Sequence, residues 1–276
     1  MATSDFLQDA ALGRLHHCVP CPWNPRRASD VAFGVSCEEH GVKWSSGMRA
    51  VSMQVVQDPA GTTPEKTGRL CFVCNSASTS DRTAQNNYRL WQAAVASTES
   101  QAREYLAGHY WTNAIMHGRG GSTRTAELPV ARQACRGVLN GQINLLRPRL
   151  IIASGACAVD SLRELGLLRK RWGHFNGMLG LGPYVETSRL KNGDDVTVAV
   201  TYHTAGKVIN MTVSNLYGPE TERLLGAEID DLGNPPPLLS FLQTLPPDAK
   251  PGMGMRVLLL HWLKIGRILR SMHGET

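Results

Sequence analysis

No apolar run in this 276-residue chain reaches the roughly 18 to 20 residues that a membrane-spanning helix needs. The first residues, MATSDFLQDAALGRLHH, lack the basic start and continuous apolar segment of a signal peptide. No internal repeat is present. Neither a P-loop nor a G-x-G-x-x-G fingerprint occurs, which removes the usual support for a nucleotide-binding α/β protein. These gaps lead us to expect a cytoplasmic protein with no membrane partner, and nothing in the chain implies a protein partner.

What the chain does have is 42% apolar residues, enough for one large core or one core with small appendages. Twenty-nine Lys and Arg outweigh 23 Asp and Glu, a formal charge of +6 that suits a polyanionic partner without demanding one. Seven cysteines in a reducing compartment point to metal ligands or buried thiols before disulfides. Near the C-terminus, MRVLLLHWLKIGRILRSM is interrupted by His261, Lys264 and Arg267. It reads as an amphipathic helix packed on the domain rather than on lipid.

Four short apolar runs read as strands: AVSMQVV (50–56), HYWTNAIM (109–116), PRLIIASG (148–155) and DVTVAVTYH (195–203). Helical patterns lie between them. Residues 81–97 place Tyr88, Trp91 and Val95 on one face, residues 127–147 form the longest stretch, and residues 155–168 start at a glycine turn. This alternation predicts a three-layer α/β/α sandwich around a four-stranded parallel sheet. Its boundaries are expected at residues 1–232, with a proline-rich connection and the last helix over 233–276. Ligands of such sheets bind outside the carboxyl ends of the strands, which singles out Asp58, Asn113, Gly155 and His203.

The series QDPAG, TGRLCFV, TNAIMHGRGG, ACRGVLNGQINLLRPRLIIASGACAVDSL and TYHTAG runs in that order over roughly residues 15 to 210. It resembles the uracil-DNA glycosylase superfamily. QDP is similar to the water-activating motif of the principal enzymes, while TNAIMH and the following AC helix resemble the iron–sulfur branch. After the histidine of the last motif the family usually has proline, and this chain has Thr204.

The resemblance implies a DNA partner and hydrolysis of the bond between deoxyribose and a flipped pyrimidine, since that bond is out of reach in stacked duplex. Cleavage creates an oxocarbenium-like sugar and an anionic base. On the resemblance, Asp58 stabilises the sugar and orients water, and His203 donates to the base O2. Asn113 reads the base edge, Phe72 stacks on it, and Gln57 and Ala60 complete the base pocket. Taken singly these residues have plainer readings. Asp58 before Pro59 caps turns, Asn113 or His203 at a strand end is an ordinary structural hydrogen-bonder, and Phe72 is ordinary core. Tyr202 and Lys207 read either as DNA-backbone contacts or as a solvated loop. It is the joint placement that favours the site.

The iron–sulfur branch uses a Cys-x-x-Cys, a ligand four residues after the strand asparagine, and a cysteine in the next helix. Those positions hold Cys18, Cys21, His117 and Cys135, which implies a [4Fe–4S] cluster with one histidine ligand. Zinc held by Cys18, Cys21, Cys37 and His40 is the alternative, a spacing typical of small zinc loops. Cys71 and Cys74 read as pocket-wall thiols and Cys157 as buried.

In uracil-specific relatives a tyrosine after Asp-Pro walls off C5 of the pyrimidine. Ala60 leaves that space open, so the pocket is expected to admit a C5 substituent, such as the hydroxymethyl or glucosyl groups of phage cytosines. An antiviral glycosylase for modified cytosine is one reading. The others are a uracil repair enzyme, if residues 75–105 refill the gap, and a DNA-binding protein that recognises bases without cleaving them.

Overall fold

The computed structural model describes residues 49–57, 82–95, 98–116, 127–172, 179–246 and 248–274. Three strands, β1 (Ser52–Val56), β2 (His109–Asn113) and β3 (Leu150–Ser154), are buried at every residue. Strands covered on both faces carry near-continuous apolar runs instead of alternation, which is why the sequence shows them as blocks. Helices α1 (Arg82–Val95) and α2 (Glu99–Ala107) separate β1 from β2, and α3 (Leu128–Leu146) separates β2 from β3. After β3 come α4 (Ala156–Glu164), β4 (Tyr184–Arg189) and β5 (Asp195–Thr201). The chain ends with α5 (Gly206–Met211), a 3₁₀ turn (Val213–Leu216), α6 (Pro219–Leu232), α7 (Pro236–Gln243) and α8 (Lys250–His273).

The sheet has five strands in the order β2-β1-β3-β5-β4, not four. The β1–β2, β1–β3 and β3–β5 pairs are parallel, and β4 runs antiparallel to β5. β4 escapes an apolar-run search because YVETSR alternates half-buried and exposed residues at the sheet edge. The signal that betrays it is the hairpin turn. Asn192-Gly193, with Gly193 at φ +90°, closes a loop in which Leu190 N–H donates to Asp194 O at 2.8 Å.

Helices cover both faces. α3 and α4 lie together, with Thr112 of β2 donating to Gln142 of α3 at 2.8 Å. On the opposite face Gln54 of β1 reaches Asn87 of α1, and Thr201 of β5 reaches His261 of α8. α8 is itself a core element. Val257 to Leu263 are all buried, Trp262 completely, and α8 packs on α1, α5, α6 and the 3₁₀ turn. Gly266 brings α8 and α1 together, since a Cβ there would lie 2.1 Å from the Ala94 carbonyl oxygen. Residues 233–252 are proline-rich but include α7, which packs on α1.

Candidate functional site

β1 connects to β2 on one side and β2 crosses back to β3 on the other, so the strand order reverses between β1 and β3. The crevice at such a switch point, above the carboxyl ends, is where doubly wound sheets bind ligands. Three of the expected catalytic and base-binding residues are described, and all three sit along this edge. Gln57 follows β1 and is half-buried, and its carbonyl accepts from Ile115 N–H at 2.9 Å. Asn113 closes β2 beside Val56 and is 1% exposed. His203 lies two residues past β5, against the end of β3.

His203 owes its place to Gly155. That glycine has φ +90°, a conformation that side chains resist, and a Cβ on it would meet the His203 Cβ at 2.9 Å. Its N–H donates to Thr201 O at 2.9 Å, joining the ends of β3 and β5. The imidazole Nδ1 of His203 accepts from the Ala205 N–H at 3.0 Å. A backbone amide can only donate, so the proton of the neutral ring sits on Nε2. Among the described residues Nε2 has no hydrogen-bond partner. The residue is half-buried, and desolvation of the ring pushes its pKa down to about 4. At neutral pH His203 therefore presents an uncharged N–H donor whose other nitrogen is already satisfied.

The loop carrying it is anchored in a manner that sequence reasoning missed. Thr204 is fully buried, its carbonyl accepts from Asn86 Nδ2 at 3.0 Å, and its hydroxyl donates to Thr83 O at 3.4 Å. Beneath lies a buried polar chain in which Gln54 Nε2 donates to Asn87 Oδ1 at 2.7 Å and to Ser154 Oγ at 3.0 Å. Asn87 Nδ2 in turn donates to Thr83 O at 3.0 Å. Hydrogen-bonded chains of this kind rigidify what they connect, here the middle of β1, the end of β3 and the first turns of α1, with the Gln54 Oε1 left unpaired among the described residues. A polar Gln54 inside an otherwise apolar strand was the only sequence signal for it. Tyr202 is neither a backbone contact nor part of a solvated loop: it is fully buried, its ring 5.2 Å from that of His261. Lys207 is exposed.

Asp58, Ala60 and Phe72 lie outside the described residues, as do Cys18, Cys21, Cys37, His40, Cys71, Cys74 and His117. Of the expected metal ligands only Cys135 is described. It is 1% exposed on α3, and its Sγ accepts from the N–H of Met116, the residue before His117, at 3.4 Å. The described residues contain no group of three or more His, Cys, Asp or Glu arranged to hold a metal. Cys157 is buried, as expected. No helix among the described residues is long and apolar enough to cross a membrane.

No protein-family model matches this chain, and no curated protein matches it.

Proposed function

We propose that the protein is a DNA glycosylase on a uracil-DNA glycosylase-like fold, hydrolysing the N-glycosidic bond of a flipped pyrimidine to leave an abasic site. The observation that carries this reading is His203, a neutral imidazole at the switch-point edge with Nδ1 held by Ala205 and Nε2–H unpaired among the described residues. A neutral donor suits a leaving base. It stabilises the developing negative charge on O2 as the bond breaks, and it requires no proton to be lost or gained beforehand. Asn113, at the end of β2 and separated from β5 by β1 and β3, supplies an amide able to read the base edge. Asp58, next in sequence to Gln57, takes the carboxylate role of stabilising the oxocarbenium-like sugar and orienting the attacking water. Phe72 stacks on the base.

Ala60 favours a C5-substituted substrate, such as the modified cytosine of phage DNA, over plain uracil, and so favours antiviral defence over repair. The +6 charge supports a DNA partner in either case.

We assign Cys18, Cys21, His117 and Cys135 to a [4Fe–4S] cluster, with zinc as the alternative. Three thiolates and an imidazole fit either, and the Met116 N–H on the Cys135 sulfur is the kind of contact that tunes a cluster cysteine. The group would hold the N-terminal segment to the domain and supply no chemistry to bond cleavage.

The test is a panel of oligonucleotides carrying uracil, 5-hydroxymethylcytosine, its glucosylated form or thymine, with strand scission read after alkali. Asp58→Asn and His203→Ala should each lower cleavage by about 10²-fold or more while leaving DNA affinity intact. Wild-type rates in both variants would reject the site. DNA binding without scission anywhere on the panel would favour the non-catalytic reading.

A further inference from the structure

The carbonyl of Thr204 and the N–H of Ala205 belong to one peptide unit, and a peptide unit is planar. Each end of that plane is held by a different partner. Asn86 Nδ2 donates to the Thr204 carbonyl at 3.0 Å, and the Ala205 N–H donates to His203 Nδ1 at 3.0 Å. Orienting the carbonyl therefore orients the N–H, and the N–H decides which ring nitrogen keeps the proton. The Thr204 side chain, fully buried, adds a second anchor through its hydroxyl on Thr83. Thr83 and Asn86 lie in the first turns of α1, and Asn87 beside them is bonded through Gln54 to Ser154, the residue before Gly155. Gly155 packs closely against His203, a Cβ there meeting the His203 Cβ at 2.9 Å. The imidazole thus contacts two supports that are tied to each other through the core.

We propose that Asn86 and Thr204 are positioning residues for His203, fixing the Thr204–Ala205 peptide plane so that the ring keeps its proton on Nε2, facing away from its own loop. A 180° turn of the ring would set a C–H against the Ala205 N–H, and a rotated peptide plane would remove that N–H. Either change frees the ring to exchange tautomers and withdraws the fixed donor. Only the kinetic consequence of this inference rests on the glycosylase reading. The tautomer itself does not.

The experiment uses the full chain with ¹⁵N-labelled histidine, His203 being identified by the signal lost in His203→Gln. Wild-type protein should show one neutral tautomer, protonated at Nε2. Asn86→Ala and Thr204→Val should shift His203 to averaged tautomers, and Thr204→Ser, which keeps the hydroxyl, should retain the wild-type signature. On oligonucleotides carrying uracil or 5-hydroxymethylcytosine, kcat should fall about tenfold or more in the first two variants with KM unchanged. If Asn86→Ala does not fold, Asn86→Asp, which keeps the shape and loses the donor, takes its place. A single Nε2-protonated tautomer surviving in both the Asn86 and Thr204→Val proteins would overturn the proposal. A tautomer shift in a protein that cleaves no oligonucleotide of the full panel, glucosylated 5-hydroxymethylcytosine and thymine included, would leave it standing and reject the glycosylase reading instead.

Discussion

Lowering the pH from 7 to 5 should destabilise this protein by about 4 kcal/mol through two buried histidines that touch no part of the candidate site's chemistry. His109 is 3% exposed, shares a 2.7 Å hydrogen bond between its Nδ1 and Ser52 Oγ, and has its pKa pushed down by desolvation to about 3. His261 is fully buried between Thr201 Oγ1 at 3.3 Å and the Gly180 carbonyl at 3.0 Å. Desolvation takes its pKa to about 4, opposed by the Gly180 carbonyl and helped by Lys264. In the unfolded chain both return to 6.5. Between that value and the folded ones the unfolded state binds more protons, so stability is lost as pH falls. From 6.5 down to pH 5, at about 1.36 kcal/mol per pH unit, the loss is about 2 kcal/mol for each ring. Both folded values lie below 5, so the folded rings stay neutral across this window. His203 pushes the same way. Two described carboxylates, Glu220 and Glu186, are shifted, and both are lowered, so they titrate below this window. Arg223 lowers Glu220, and the Arg169 and Lys170 amides with the Tyr184 hydroxyl lower Glu186 against the opposing effect of burial. Urea unfolding at the two pH values measures the effect, and His261→Gln should reduce the pH-dependent loss by about 2 kcal/mol, whatever its stability at pH 7. Equal stability of the wild type at pH 5 and 7 would refute the reasoning. So would a His261→Gln protein whose loss matched the wild type's.

Ala60→Tyr should exclude C5-substituted bases and keep or improve activity on uracil, read on the same oligonucleotide panel. An unchanged melting temperature controls for overpacking, which costs about 1–3 kcal/mol where it occurs. Efficient removal of plain uracil by the wild type, with every C5-modified base ignored, would show that some other side chain fills the space. Anaerobically purified protein should be brown, with iron and sulfide found on analysis, whereas colourless protein with stoichiometric zinc would move the metal to Cys37 and His40. Gly155→Ala should cost about 1–3 kcal/mol from its positive φ and displace the His203 ring, so cleavage should fall further than stability alone explains. A variant with wild-type activity would show that the ring does not depend on Gly155.

How much of this was legible in the sequence depended on whether a residue's neighbours in space were also its neighbours along the chain. β1 and β3 were readable because strands buried on both faces are mostly apolar, β5 because its buried second half carries the same kind of run, and α1 and α3 because helical faces repeat locally. The placing of Gln57, Asn113 and His203 on one edge followed from the same pattern, since parallel strands all end on the same side. β4 was missed because an edge strand needs no apolar run, and its evidence lay in the turn at Asn192-Gly193 instead. The identity of its partner, β5, could still have been inferred from that hairpin.

Other features had no local signature at all. Asn86 reaches Thr204 across 118 residues of chain, Gln54 reaches Ser154 across 100, and Thr201 reaches His261 across 60. A hydrogen bond leaves no periodicity in a sequence, because its energy depends on one distance and one angle that only the packed fold sets. The sequence by itself determined that an imidazole and an asparagine would stand along the same edge of one sheet. Only the tertiary structure decided which of its nitrogens carries the proton, because that choice is made by a single peptide N–H whose orientation is held by a helix from elsewhere in the chain.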